Sequence, residues 1–286
     1  MATVGITSRT DRSVDLRAAG RFAAKWWPAL IILPWLVVLV APHLIASQDP
    51  LAINALNTFA PPSGKHWFGT DEAGRDIFSR CIYGARISIA ISLAVVLCAA
   101  TIGLVLGGLA GLGTKLVDNL VMRTTDVFLA FPYLILAIAI SASVGPGLLT
   151  VLVALVAVWW PSYARVTRGQ ILVLRELPFI DGARAVGTPM PRIFRRHILP
   201  HLASQLSARM ALDVGYAILA LTGLSFLGLG AQPPTPELGA IIADARNYIL
   251  QAWWYSTLPG LFILAAVICA ITIGSRLERV AAGSRP

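Results

Sequence analysis

Charge is scarce in this chain. Aspartate, glutamate, lysine and arginine make up 13% of its 286 residues, about half the share of a soluble globular domain. No charged side chain occurs from Ile87 to Thr114 or from Val127 to Ala164. Runs of that length exceed the ~20 apolar residues that cross a bilayer's hydrocarbon core, which argues against a soluble fold. Backbone groups in lipid must bond internally, so the spanning form is helical. Cysteine is also rare: Cys81, Cys98 and Cys269 follow no metal spacing and make no disulfide framework. Cys98 and Cys269, in apolar runs, read as packed thiols. No cleavable signal peptide is evident, because the first 25 residues are polar and basic and the apolar run after them lacks a small-residue cleavage motif.

Catalytic signatures are missing as well. "GLAGLGTK" (Gly108 to Lys115) lacks the Gly-Lys-Ser/Thr ending of a phosphate-binding loop and follows an apolar helix rather than a strand. No nucleotide or other cofactor site is therefore expected in this chain. His66, Asp71, Glu72 and Asp76 fit no standard metal-ligand spacing, and an external helix starting near Thr70, its N-cap, is read there instead. His197 and His201 lie four apart without the glutamate of a zinc-protease helix. No Ser/His/Asp arrangement appears, and no catalytic residue is assigned.

What remains is a series of apolar segments. The pattern predicts an all-α polytopic membrane protein with six transmembrane helices, at about 27–46, 86–112, 125–144, 148–168, 204–230 and 255–275. A tail covers 1–26, a polar segment 47–85, a long loop 169–203 and a second tail 277–286. "GPG" at Gly145 to Gly147 divides the longest run. With the amino terminus inside, 18 of the 23 lysines and arginines fall on inner segments, as the positive-inside tendency requires. The net charge of +9 is accordingly read as topogenic, with the lipid bilayer as partner and no role for nucleic acid. Both termini and the 169–203 loop are expected in the cytoplasm.

That loop carries a basic, turn-rich island, "FIDGARAVGTPMPRIFRRHILPHL", preceded by Arg175. Pro178 can open a short helix, with Asp181 in its first turn near the positive dipole end and Gly187 as its stop. "MPRIFRRHILP" then reads as a second amphipathic segment ended by Pro200. Such helices on the inner membrane face offer a surface for a soluble partner.

The island resembles the cytoplasmic coupling loop of ABC importer permeases: an acid and two small residues (Asp181, Gly182, Ala183), a later glycine (Gly187), and Ile198-Leu199-Pro200. Aspartate replaces the usual glutamate, and Gly182 replaces an alanine, which weakens a helix by roughly 1 kcal/mol. "HWFGTDEAGRDIFSRCIYGARISI" (His66 to Ile89) and "LTGLSFLGLGAQPPTPELGAII" (Leu221 to Ile242) are similar to segments of the dipeptide, oligopeptide and nickel permeases, second-subunit type. The resemblance implies a five-helix type I permease core (86–276) after one extra helix, in a bacterial inner membrane. It implies four partners: a sister permease, two ATPase subunits that bind ATP and magnesium, and an extracytoplasmic substrate-binding protein. It also implies ATPase docking by Phe179, Asp181, Gly182, Ala183, Arg184, Gly187, Arg192, Arg195, His197 and Pro200. Peptides are the expected cargo, with nickel or haem-like cargo as the alternative in this family.

Two further features stand apart. Gly103, Gly107 and Gly111 make a small-residue stripe suited to close helix packing, within the subunit or against a sister subunit. Asp213 lies four residues after Arg209, and an intramembrane acid reads either as an ion-paired group or as a gating one. A self-sufficient secondary transporter would show internal repeats and midplane charges, and a membrane enzyme would show a polar constellation. Neither pattern is evident.

Overall fold

The computed structural model describes residues 33–283, with side chains to residue 276. Among these residues the regular structure is helical. The first helix, α1, covers residues 33–40 and is followed by Pro42 in a short 3-10 turn. The 1–26 tail and the start of the segment predicted for 27–46 lie outside the described residues. Four helices are long and apolar enough to cross a membrane: α2 (Ile77–Leu112), α5 (Leu148–Arg175), the run Met190–Phe226, and the last helix as far as Arg276. A fifth span arises if α3 (Lys115–Leu129) and α4 (Tyr133–Val144) count as one, although they meet at 88°.

The bend corrects the straight helix predicted for 125–144. Pro132 is the N-cap of α4. A proline disfavours helical backbone at the residue before it, here Phe131, and cannot donate to the preceding turn. Alone, α4 has 12 residues, about 18 Å of helix, too short to span a core of about 30 Å. Beyond it Gly145 has φ +110, a conformation costly for any residue with a Cβ, and α5 begins at Leu148.

Other helix ends also move, and paired charges explain two of them. The helix predicted to start at Arg86 starts at Ile77, because Asp76 rather than Thr70 caps it: its carboxylate accepts from Ser79 N at 2.8 Å. Thr70 accepts from Ala60 N and donates to Asn57 O instead. Arg80 is tolerated inside the helix, 1% exposed, because Asp71 lies 3.3 Å away. Likewise α5 continues seven residues past the predicted 168. Arg168 makes a bidentate pair with Asp118 of α3, at 2.7 and 2.6 Å, and Arg165 pairs with Asp126. The last helix, α10 (Trp253–Gly283), takes up most of the predicted tail 277–286.

The glycine stripe brings α2 against α5. A Cβ added at Gly103 would sit 2.3 Å from Tyr163 Cβ, and one at Gly107 would sit 2.4 Å from the Ala164 carbonyl oxygen. The helices touch backbone to backbone, as small residues allow. Elsewhere α1 contributes Val38 to a cluster with Ile77, Ile218, Ile241 and Tyr255. Large apolar side chains such as Leu97, Val105, Ile135, Leu149 and Leu264 remain exposed, which is the expected surface for a bundle solvated by lipid. Cys81 and Cys269 are buried; Cys98, expected to be packed, is exposed on α2.

Candidate functional site

The basic island folds into short helices at one end of the bundle. α6 (Pro178–Ala185) opens with Pro178 and carries Asp181 in its first turn. It ends in a Schellman motif. Gly187, at φ +75, donates its N–H to Arg184 O at 2.9 Å, and Thr188 N donates to Ala183 O at 3.1 Å. A short helix, α7 (Met190–Ile193), follows. It runs through a π turn at Phe194–Ile198 into α8 (Leu199–Phe226).

This continuity corrects two expectations. Pro200 does not end the second segment, and the membrane helix begins near Met190 rather than at Ser204. The π turn is the physical reason. Leu199 N bonds to Phe194 O, five residues back. The widened turn leaves room for a ring that would otherwise press on the carbonyl four residues before it. Pro200, early in α8, then costs little.

This segment is anchored by one face. Ile180, Ile193 and Ile198 are fully buried with Ile171, Leu174 and Leu202. Arg175 Nη1 donates to Gly111 O at 2.8 Å, tying the end of α5 to the end of α2. On the opposite face Phe179, Asp181, Gly182, Arg184, Gly187, Arg192, Arg195 and Pro200 are exposed, while Ala183 and His197 are half-buried. Asp181 and Arg184 lie 3.4 Å apart, and the Phe179 ring sits 6.1 Å from that of His197 and 6.2 Å from that of His201. A buried apolar underside therefore carries a charged, aromatic and exposed upper face. No Cβ added at Gly182 or Gly187 would meet a heavy atom within 4 Å, so these two glycines are not required by packing within this chain.

Further along α8, Asp213 forms a network. Its Oδ2 accepts from Tyr163 OH at 2.6 Å and from Arg209 Nε at 3.3 Å. Arg209 Nη2 also donates to Ser162 Oγ at 2.6 Å. The pairing with Arg209 was legible from the four-residue spacing, but the partners on α5 were not.

At the other end of the bundle lies a polar cluster. Arg75 bonds Asp71 and Glu72 at 2.7 Å each, Tyr255 OH donates to Glu72 at 2.5 Å, and His66 contacts Asp76 at 2.9 Å. Burial disfavours the Arg75 charge, but Asp71 and Glu72 offset it, so its pKa stands above the ordinary value. Among the described residues, no group of three or more His, Cys, Asp or Glu is placed to hold a metal ion. Sequence reasoning missed Glu237. Fully buried, it caps α9 (Leu238–Ala245) by accepting from Gly239 N and Ala240 N, and Ser88 Oγ donates to it at 2.8 Å. Burial raises its pKa despite these bonds. Its signal was a lone acid after "PPTP".

The molecule is an apolar helical bundle with one anchored basic segment exposed at its end. Residues 103–282 match the family described as binding-protein-dependent transport system inner membrane component. The chain belongs to that family, the permeases of ABC importers. It is 40% identical over 240 residues to a probable D,D-dipeptide transport system permease protein of Escherichia coli K12, covering 84% of this chain and 80% of that one. It is 42% identical over 240 residues to a di/tripeptide transport system permease protein of Pseudomonas aeruginosa UCBPP-PA14, covering 82% and 79%. It is 36% identical over 265 residues to the nickel transport system permease protein of Escherichia coli K12, covering 90% and 94%. In fold it resembles an inward-facing structure of the MetNI methionine ABC transporter, with TM-score 0.57 and 19% identity over 71% of this chain and 96% of that one.

Proposed function

We propose that this chain is a non-catalytic permease subunit that admits di- or oligopeptides to the cell, powered by ATPases on separate chains. The exposed upper face of the 178–200 lever, held on a buried isoleucine underside, is the observation that carries the reading. Two ATPase subunits bind ATP and magnesium, and each accepts one coupling lever in a surface groove. Closure of the ATPases moves the lever. Because α7 runs without a break into α8, that motion passes directly to a membrane helix. This chain and a sister permease thereby alternate between outward and inward openings, and an extracytoplasmic binding protein delivers the cargo to the end that carries Glu72 and α9. Both termini lie in the cytoplasm. Peptide cargo is supported by the names of the relatives with 40% and 42% identity. Nickel is the second reading, supported by the 36% identical nickel permease.

The test is uptake of labelled alanyl-alanine by proteoliposomes. Uptake is expected with ATP and the full set of subunits, and is lost when the ATPases are omitted. ATP-dependent uptake by this chain alone contradicts the reading. Single cysteines replacing Arg192 and Lys65, in a background without native cysteines, test orientation: they label from opposite faces of intact cells.

A further inference from the structure

A cavity of about 320 Å³ lies between the end of α8 and α9, lined by Glu72, Phe226, Asp244, Arg246, Asn247 and Tyr248 among others. Its volume is near the lower end of the roughly 300–1,000 Å³ range of small-ligand pockets. The carboxylate of Asp244 has no hydrogen bond among the described residues, and its side chain is 31% exposed. The nearest cation is Arg80 Nη2 at 3.8 Å, beyond hydrogen-bond reach. Arg80 itself is held closer to Asp71, at 3.3 Å, and its buried Nε and Nη1 find no hydrogen-bond acceptor. Glu72 is 30% exposed and already accepts from Arg75 and Tyr255, leaving part of its acceptor capacity free. Arg246 makes no ion pair or hydrogen bond among the described residues.

One wall of this cavity therefore offers unsatisfied acceptors, and another residue offers an unpaired planar donor. We propose that the cavity is a subsite for a small zwitterionic peptide, with Asp244 and Glu72 accepting from its α-ammonium group and Arg246 meeting its carboxylate. An ammonium group supplies three donors and relieves the repulsion between the two acids. That repulsion, after burial, holds the Asp244 pKa above the ordinary carboxylate value. A metal is a poorer fit, because no third His, Cys, Asp or Glu completes a ligand set among the described residues. The inference rests on the peptide-importer reading and on the placement of this end outside the cell.

The experiment is a saturation-transfer NMR titration of the purified transporter in nanodiscs, without binding protein. Alanyl-alanine is expected to bind. Asp244→Asn weakens its binding by about tenfold, the scale of one charge-assisted hydrogen bond. N-acetyl-alanyl-alanine binds the unaltered protein equally weakly and loses nothing more in Asp244→Asn. Arg246→Gln, at an exposed position, weakens alanyl-alanine but not alanyl-alaninamide, which lacks the carboxylate. No binding, equal binding of the free and acetylated peptides, or unchanged affinity in both variants overturns the proposal. Uptake by the complete importer is read separately. Uptake without cavity binding overturns this inference alone, and absence of uptake overturns the peptide reading.

Discussion

The hydroxyl of Tyr163 donates a 2.6 Å hydrogen bond to Asp213, joining α5 to α8 across 50 residues of sequence. Arg209 shares the same carboxylate oxygen at 3.3 Å, and its guanidinium lies 5.2 Å from the centre of the Tyr163 ring. Asp213 is thus part of a three-sided clasp between two helices rather than an isolated membrane acid. Charged groups in a membrane helix persist when they are paired with one another.

The clasp predicts an order among variants. Tyr163→Phe keeps the ring and the Arg209 contact and loses one hydrogen bond to a charge, costing about 1.5–3 kcal/mol. Asp213→Ala costs more, because Tyr163, 1% exposed, and Arg209 both lose their acceptor. Thermal unfolding in nanodiscs reads the order. Equal melting of Tyr163→Phe and the unaltered protein would show that the clasp adds nothing to stability.

Glycines on the two faces should behave oppositely. Gly107→Ala places a Cβ 2.4 Å from the Ala164 carbonyl, and overpacking of this kind costs typically about 1–3 kcal/mol. Gly182→Ala meets no heavy atom within 4 Å and lies inside α6, where alanine is favoured over glycine by about 1 kcal/mol. The first variant is expected to melt lower and the second no lower than the unaltered protein. A melting point unchanged by Gly107→Ala would contradict the close helix contact.

Glu237 gives a pH dependence with a defined sign. Its folded-state pKa is raised, chiefly by burial, so folding favours the protonated carboxyl. The stability this contributes is fully present below the ordinary glutamate range and is lost as pH rises through the folded-state value. Glu237→Gln is neutral at every pH and still offers a carbonyl to Gly239 N and Ala240 N. Its melting point should gain on that of the unaltered protein as pH rises. Glu237→Leu leaves those two donors and Ser88 Oγ without an acceptor, and should cost about 1–3 kcal/mol at any pH. A Glu237→Gln difference that shrinks with rising pH would reverse the assigned sign.

The helical class of the fold and most of its apolar segments were legible in the sequence, because charge-free runs of that length have few other uses. Helix ends were not. Arg86 and Arg168 looked like boundaries, yet the first helix reaches back past Arg80, which Asp71 neutralises nine residues earlier, and the second runs on past Arg168, which Asp118 neutralises from 50 residues away. Pro132 and Pro200 were misjudged in opposite directions. Pro132 breaks a helix that looked continuous, and Pro200 is absorbed by a π turn that no periodicity announces. The residues of the lever were legible as a motif, and its φ +75 glycine follows from Gly187 itself. The buried isoleucine underside depends on contacts from α5, which only the fold brings together. The cavity beside Asp244 was invisible for the same reason: Glu72 and Asp244 are far apart in the chain.

The central claim is that the upper face of the 178–200 lever is where the ATPases dock, and co-purification of the ATPase subunits with the membrane-inserted chain tests it most directly. Asp181 is exposed, so Asp181→Lys should leave insertion intact while reversing one charge contact. Gly187→Arg puts a bulky side chain at φ +75, where a Cβ costs about 1–2 kcal/mol, on a face that is open in this chain. Gly187→Asn, which tolerates that backbone region, separates strain from bulk. The account predicts that Asp181→Lys and Gly187→Arg insert normally but retain far less ATPase than the unaltered chain, with Gly187→Arg impaired more than Gly187→Asn. Full recovery of the ATPases by both Asp181→Lys and Gly187→Arg would contradict it and leave the island a solvated basic loop.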